Sequence, residues 1–219
     1  MAYILDRYNL AYFPVPKTAC TSLKSYFYEI EHGAPFIPYR GDDERMIYIH
    51  NKIFSSSFFG EARAECLASC HRIAVVRDPV ERFVSAYANR VLHHKELSAA
   101  ALNTPLGEAL GLLPTPAFEL FVERLDEYRL ASWSISHHTN PASYFLGPDL
   151  GYFHKTYKFS EIGQLHADIC ARTGTNFALP HEQKMGAAFP LPGPKHPCWR
   201  KLREFYAGDY ALMKGYYSL

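Results

Sequence analysis

"YFPVPKTACTSLKSYF", Tyr12 to Phe27, is the stretch on which the fold turns. An apolar, aromatic run meets Pro14 and Pro16, then a lysine and a cluster of small, hydroxyl and thiol side chains: Lys17, Thr18, Ala19, Cys20, Thr21 and Ser22. Asn9 to Val15 reads as a strand that the prolines stop, because proline brings no N–H to a ladder. From Thr18 to Glu31 the apolar residues Leu23, Phe27 and Ile30 fall at i, i+4 and i+7, one face of a helix that Gly33 and Pro35 end. A helix N-terminus offers unpaired N–H groups and partial positive charge. A tight turn before it aims several of them at one point. Lys17 adds a full charge, and Thr18, Thr21 and Ser22 add hydroxyl donors, a set suited to phosphate or sulfate. A helix cap beside a surface lysine accounts for the same residues without a ligand.

The phosphate loop of nucleotide triphosphatases, G-x-x-x-x-G-K-[ST], aligns with "AYFPVPKT", Ala11 to Thr18. Lys17 and Thr18 fit, but Ala11 and Pro16 stand where both glycines belong. Those glycines let a backbone wrap phosphates, so their absence argues against a standard triphosphatase.

A second stretch, "VVRDPVERFVSAYANR", Val75 to Arg90, repeats the strand-to-helix design. "RIAVV", Arg72 to Val76, is a continuous apolar run of the kind buried on both faces of a parallel sheet. Asp78 caps the helix that follows and Pro79 takes its first position. Phe83, Ala86, Tyr87 and Arg90 share one stripe. Arg77 then sits at the carboxyl edge of the sheet, where a guanidinium can fork onto phosphate oxygens, and Ser85 follows two turns into the helix. A capped helix with Arg77 and Glu81 as a surface pair is the plainer alternative.

Elsewhere the pattern predicts a strand at Met46–Ile49, helices at Glu61–Ser69 and Ala117–Leu130, a strand at Lys155–Phe159 and a helix at Ser160–Arg172 capped by Ser160 and stopped by Gly174. Leu179–Pro197 carries five prolines and two glycines and reads as irregular, and Cys198–Tyr216 reads as a closing helix. Short apolar strands alternating with helices predict an α/β fold with a central parallel sheet, as one domain over residues 1–219. Ligands in such sheets bind outside the carboxyl ends of the strands.

Composition narrows the partners. With 23 basic against 22 acidic side chains the net charge is +1, too even for a general nucleic-acid binder. No apolar run is long enough to span a bilayer and Met1–Asp6 does not read as a signal peptide, so a cytoplasmic protein with reduced thiols is expected. Five cysteines form no metal-ligand spacing, and no metal is expected. Nothing in the pattern speaks to oligomeric state.

Taken together, the two stretches resemble the carbohydrate sulfotransferases, type 2. "VPKTACTSLK" is similar to their 5′-phosphosulfate loop and "RDPVERFVSAY" to their 3′-phosphate motif. "HHTNPASYFLG", "YKFSEIGQLHADICARTG" and "LREFYAGDYALM" resemble later family segments, so the likeness covers most of residues 9–216. The resemblance implies a P-loop-kinase-like three-layer fold, a central parallel β-sheet flanked by helices. It also implies 3′-phosphoadenosine 5′-phosphosulfate (PAPS) as sulfuryl donor and a carbohydrate or glycoconjugate acceptor. Lys17 to Ser22 would hold the phosphosulfate, and Arg77 and Ser85 the 3′-phosphate. Ala142 departs from the family, which often has glutamine there. Many relatives carry a membrane anchor, and this chain is more like a soluble bacterial form.

Sulfuryl transfer by in-line displacement builds charge on the leaving phosphate oxygen, where Lys17 would act. The acceptor hydroxyl needs a base, and histidine titrates near neutral pH. His50, after "MIYI", is the first candidate and is placed like the base of some relatives; His138, beside His137, is its rival and suits donor or acceptor contact. Lys184 or Lys195 in the proline-rich loop would serve a lid. Two other classes stay open: an ATP- and Mg²⁺-dependent kinase, and a non-catalytic nucleotide- or glycan-binding domain.

Overall fold

The computed structural model describes residues 2–50, 58–61, 67–180, 189–191, 193 and 195–218. In chain order β1 (Tyr3–Leu5) and β2 (Leu10–Phe13) lead into helix α1 (Cys20–His32), followed by β3 (Tyr39–Arg40), β4 (Met46–Ile47) and β5 (His71–Val76). Then come α2 (Pro79–Ala86), α3 (Phe118–Glu123), α4 (Leu125–Ala131), α5 (Trp133–Thr139), β6 (Lys155–Lys158), α6 (Ile162–Thr173), α7 (Pro197–Phe205) and α8 (Ala207–Leu212), with shorter turns between. By their internal contacts the residues form two compact units, one of 1–77 and 142–184, the other of 78–141 and 185–219.

The first unit holds the sheet, in the order β1-β2-β5-β6. β1 runs antiparallel to β2, and β2, β5 and β6 are parallel, with Tyr12 opposite Ile73 and Val76 opposite Lys158. Tyr3, Leu10, Tyr12, Ile73, Val75 and Tyr157 line one face and pack against Leu23, Phe27 and Ile30 of α1 and Leu165 and Ile169 of α6. On the other face Phe13 meets Phe59, Tyr152 and Phe153 at ring separations of 5.1–6.1 Å. This is the expected α/β class, a mostly parallel central sheet flanked by helices, consistent with a P-loop-like three-layer fold. Burying the apolar parts of Tyr12 and Phe27 contributes about 1.5–3 kcal/mol each before entropy is counted. The 5.2 Å Tyr12–Phe27 ring contact makes Tyr12 strand packing.

The second unit is helical, with Phe83, Tyr87, Phe118, Phe121, Tyr128, Leu202 and Tyr206 in its core. Tyr87–His93 continues α2 with π spacing. The predicted stripe of Phe83, Ala86 and Tyr87 is buried, and Arg90, which breaks it, pairs with Glu96 at 3.0 Å.

Several boundaries differ from expectation, each for a local reason. Met46–Ile49 is not a strand of the main sheet: only Met46 and Ile47 pair, with Tyr39 and Arg40, in a separate two-stranded sheet. Ala117–Leu130 breaks into α3 and α4 because Arg124 leaves helical geometry (φ −107°, ψ 30°). The closing helix breaks likewise at Tyr206 (φ −99°, ψ 17°). Ser160 does not cap α6: residues 159–161 form a 3₁₀ turn in which the Glu161 carboxylate accepts from Lys158 N at 2.8 Å, and the helix starts after it. Gly33 and Gly174 end their helices in the left-handed region, φ 72° and 67°, as a C-terminal glycine should. Most of the predicted Glu61–Ser69 helix, and Lys184 of the lid, lie outside the described residues.

Candidate functional site

β2, β5 and β6 are parallel, so their carboxyl ends share one edge of the sheet. From the end of β2 the chain passes through buried Pro14, Val15 and Pro16 and then turns through Pro16–Ala19 into α1. Lys17 has φ 68° and Ala19 φ 60°, both in the left-handed region that favours glycine. Each costs about 1–2 kcal/mol for an L-residue, strain that persists only where the surroundings impose it. The turn forms without a glycine at position 11 or 16, its left-handed residues being Lys17 and Ala19. Ala19 is the N-cap of α1 and supplies no side-chain cap, while its carbonyl accepts from Leu23 N at 3.0 Å. The first N–H groups of α1 thus have no capping side chain at this edge.

The side chains of the turn divide by direction. Thr18 is fully buried, and its hydroxyl donates to Val15 O at 2.9 Å, bracing the turn from below. Lys17, Ala19, Cys20 and Thr21 are half-buried and Ser22 is buried. Beneath them lies Tyr12, whose hydroxyl burial pushes far above the usual phenol range, with Cys20 adding to the shift. Lys24, one turn into α1, is 1% exposed. Burial lowers its pKa, opposed in part by Cys20. The sequence reading passed over Lys24, although its place three residues before Phe27 puts it beside the buried face.

Arg77 follows β5 directly and reaches the same turn: its Nη1 donates to Lys17 O at 3.4 Å, and its guanidinium carbon stands 4.7 Å from the centre of the Phe159 ring. The structure therefore brings Arg77 to the turn of Lys17. His50 lies beyond the two-stranded sheet, exposed, with its ring stacked on Tyr48 at 5.8 Å.

Ser85 and His138 belong to the second unit. Asp78 caps α2 as predicted, accepting from Val80 N and Glu81 N at 3.0 Å each, and half-buried Ser85 sits on that helix. His138, near the end of α5, donates from Nδ1 to Ser134 O at 2.8 Å, which leaves Nε2 as the basic nitrogen of the neutral ring. The sequence reading missed Arg82. Its guanidinium is fully buried 3.7 Å from the Asp209 carboxylate and donates to the carbonyls of His138 (3.4 Å) and Asn140 (2.5 Å). Tyr206 donates to Thr139 O at 2.6 Å, and Tyr210 to Asp78 at 3.0 Å. The Tyr-x-x-Asp-aromatic run of the last helices is thus a clamp on the ends of α5 and α2. Ala142 is buried. Among the described residues no group of three or more His, Cys, Asp or Glu is placed to hold a metal ion, and no helix is long and apolar enough to cross a membrane.

A lysine-bearing turn between a strand and a helix N-terminus without a side-chain cap, with an arginine from the next strand laid against it, is an arrangement of an α/β protein that suits an anion at the sheet's carboxyl edge. The model of the sulfotransferase family, type 2, matches residues 1–185, and the chain belongs to that family. It is accordingly a transferase. No curated protein and no solved structure matches it.

Proposed function

We propose that the chain moves a sulfuryl group from PAPS to a hydroxyl of a carbohydrate or glycoconjugate. The observation that carries this reading is the left-handed turn at Lys17 and Ala19, opening onto an N-terminus without a side-chain cap and met by Arg77. It brings together donors and cations: backbone N–H groups, an ammonium, hydroxyls and a guanidinium. That chemistry fits a ligand with clustered anionic oxygens.

When bound, the donor supplies an activated sulfuryl group whose departure leaves charge on a phosphate oxygen. Lys17 is assigned to that charge, with the backbone N–H groups of Thr18 to Ser22 around it. The hydroxyls of Thr21 and Ser22 supplement them, whereas the Thr18 hydroxyl holds Val15 and serves the turn. Arg77 and Ser85 are assigned to the 3′-phosphate on the strength of the resemblance. In a kinase of the P-loop type the residue after the lysine gives its hydroxyl to Mg²⁺. Thr18 is fully buried, with no hydroxyl surface turned to a ligand, which favours the sulfotransferase over that reading.

A histidine takes the acceptor's proton. His50 is assigned to this step, and His138, whose Nδ1–H is fixed by Ser134, to donor or acceptor contact. The pH profile of His50→Ala and of His138→Ala separates the two roles, because loss of the base flattens the acid limb.

The test is to incubate the protein with PAPS labelled in the sulfuryl group and a panel of neutral and acidic saccharides. Label transferred to a saccharide, with one equivalent of adenosine 3′,5′-bisphosphate released, is the expected result. Phosphorylation of a saccharide by ATP and Mg²⁺, with PAPS left intact, would reject the proposal.

A further inference from the structure

We infer that Phe159 is a positioning residue for Arg77, fixing the guanidinium before a donor arrives; this rests on the donor site proposed above. β5 and β6 are parallel with Val76 opposite Lys158, so the residues that follow, Arg77 and Phe159, leave adjacent strands at the same level of the carboxyl edge. The Arg77 guanidinium carbon stands 4.7 Å from the Phe159 ring centre, within cation–π range, while Nη1 reaches Lys17 O at 3.4 Å. The ring and the carbonyl thus hold the same guanidinium from two neighbouring elements.

An arginine has several rotatable bonds, and ordering them on binding costs affinity. A ring held against the guanidinium removes part of that freedom in advance, and a guanidinium binds phosphate through its N–H groups. Phe159 is 36% exposed, a large apolar ring standing partly in solvent beside the anion turn. Its burial is incomplete, so packing alone gives it little reason to be aromatic, whereas holding a cation does. The same contact ties the turn to the third strand, since Nη1 of Arg77 bonds the carbonyl of the strained Lys17. Phe159 thus acts on the donor through Arg77 and not by touching the reacting atoms.

The experiment is calorimetric titration of wild type, Phe159→Leu and Phe159→Tyr with adenosine 3′,5′-bisphosphate and with adenosine 5′-phosphate, with melting curves for each protein. Leucine keeps the bulk and removes the π face; tyrosine keeps both. The expected result is a loss of about five- to tenfold in bisphosphate affinity for Phe159→Leu. Affinity for the monophosphate should stay within about twofold, because that ligand does not engage the guanidinium. Phe159→Tyr should return the bisphosphate to wild-type affinity. In the transfer assay the leucine variant should raise donor KM and leave kcat. Wild-type affinity in Phe159→Leu, or equal losses for both nucleotides, would overturn the inference while leaving the donor site standing. A wild type that binds neither nucleotide would overturn the donor site and the inference with it.

Discussion

Arg77 and Arg82 stand five residues apart and are treated in opposite ways. Arg82 is fully buried, with the Asp209 carboxylate, two backbone carbonyls and the Tyr206 ring around its guanidinium. Arg77 is half-buried at a sheet edge, against the Phe159 ring and within 3.4 Å of the carbonyl of a strained lysine. A buried charge stripped of its counter-charge is costly, so Arg82 is committed to holding one conformation. A half-buried guanidinium at the mouth of a helix retains the hydration and reach that ligand exchange requires. The difference separates a cation that builds from a cation that can serve, although both sit in one continuous motif.

The sharpest way to break that comparison is to remove the counter-charge of Arg82. Asp209→Ala is expected to cost about 3–5 kcal/mol of stability, since it leaves a buried guanidinium uncompensated. For a chain of this size the melting temperature should fall by about 6–20 °C. A melting point within about 2 °C of wild type would mean that the pair carries no structural load. Next in size, Lys17→Ala should lower the transfer rate about 10²–10³-fold, while the melting temperature stays put. If rate and stability fall together, Lys17 belongs with Arg82 among the residues that build.

Smaller effects sharpen the strained side. Ala19→Val should destabilise by about 1 kcal/mol or more, because a β-branched residue resists the left-handed region; Ala19→Gly should hold or gain up to about 1 kcal/mol. Denaturant titration of the two variants reads this, and equal stabilities would show that the turn relaxes in solution. Smallest is an acid effect at the edge of the sheet. Hydrogen bonds from Lys155, Tyr157 and Gln164 lower the Asp168 carboxyl from 3.8 to about 2. A lowered folded-state pKa gives stability that is complete above the unfolded value and lost as pH falls through the folded one. Wild type should therefore lose a modest increment between about pH 4 and about pH 2 that Asp168→Asn lacks, as measured by melting across that range.

What the sequence disclosed follows from what leaves a local trace. The β2–α1 and β5–α2 junctions were legible because prolines, a cap and apolar runs coincide at Pro14, Pro16 and Asp78. The two-residue strands at Tyr39 and Met46 were not, since so short a pairing has no period. The break at Arg124 occurs with no glycine or proline beside it to announce it, and the break at Tyr206 precedes Gly208 by two residues. The left-handed turn at Lys17 and Ala19 was hidden for the same reason: sequence signals that conformation through glycine, and here the surroundings impose it. Arg82 and Asp209 meet across most of the second unit's sequence, so only the family-like run around Asp209 hinted at a role. Phe159 read as the end of a strand, because an aromatic residue gives no sign of facing a cation.

The central claim is that this edge recognises a nucleotide by anionic groups at both ends of its ribose. Titrating the protein with adenosine 3′,5′-bisphosphate and with ATP, each with and without Mg²⁺, tests it most directly. The account predicts that the bisphosphate binds at least about tenfold more tightly than ATP, with no dependence on Mg²⁺. Tighter binding of ATP, strengthened by Mg²⁺, would contradict it.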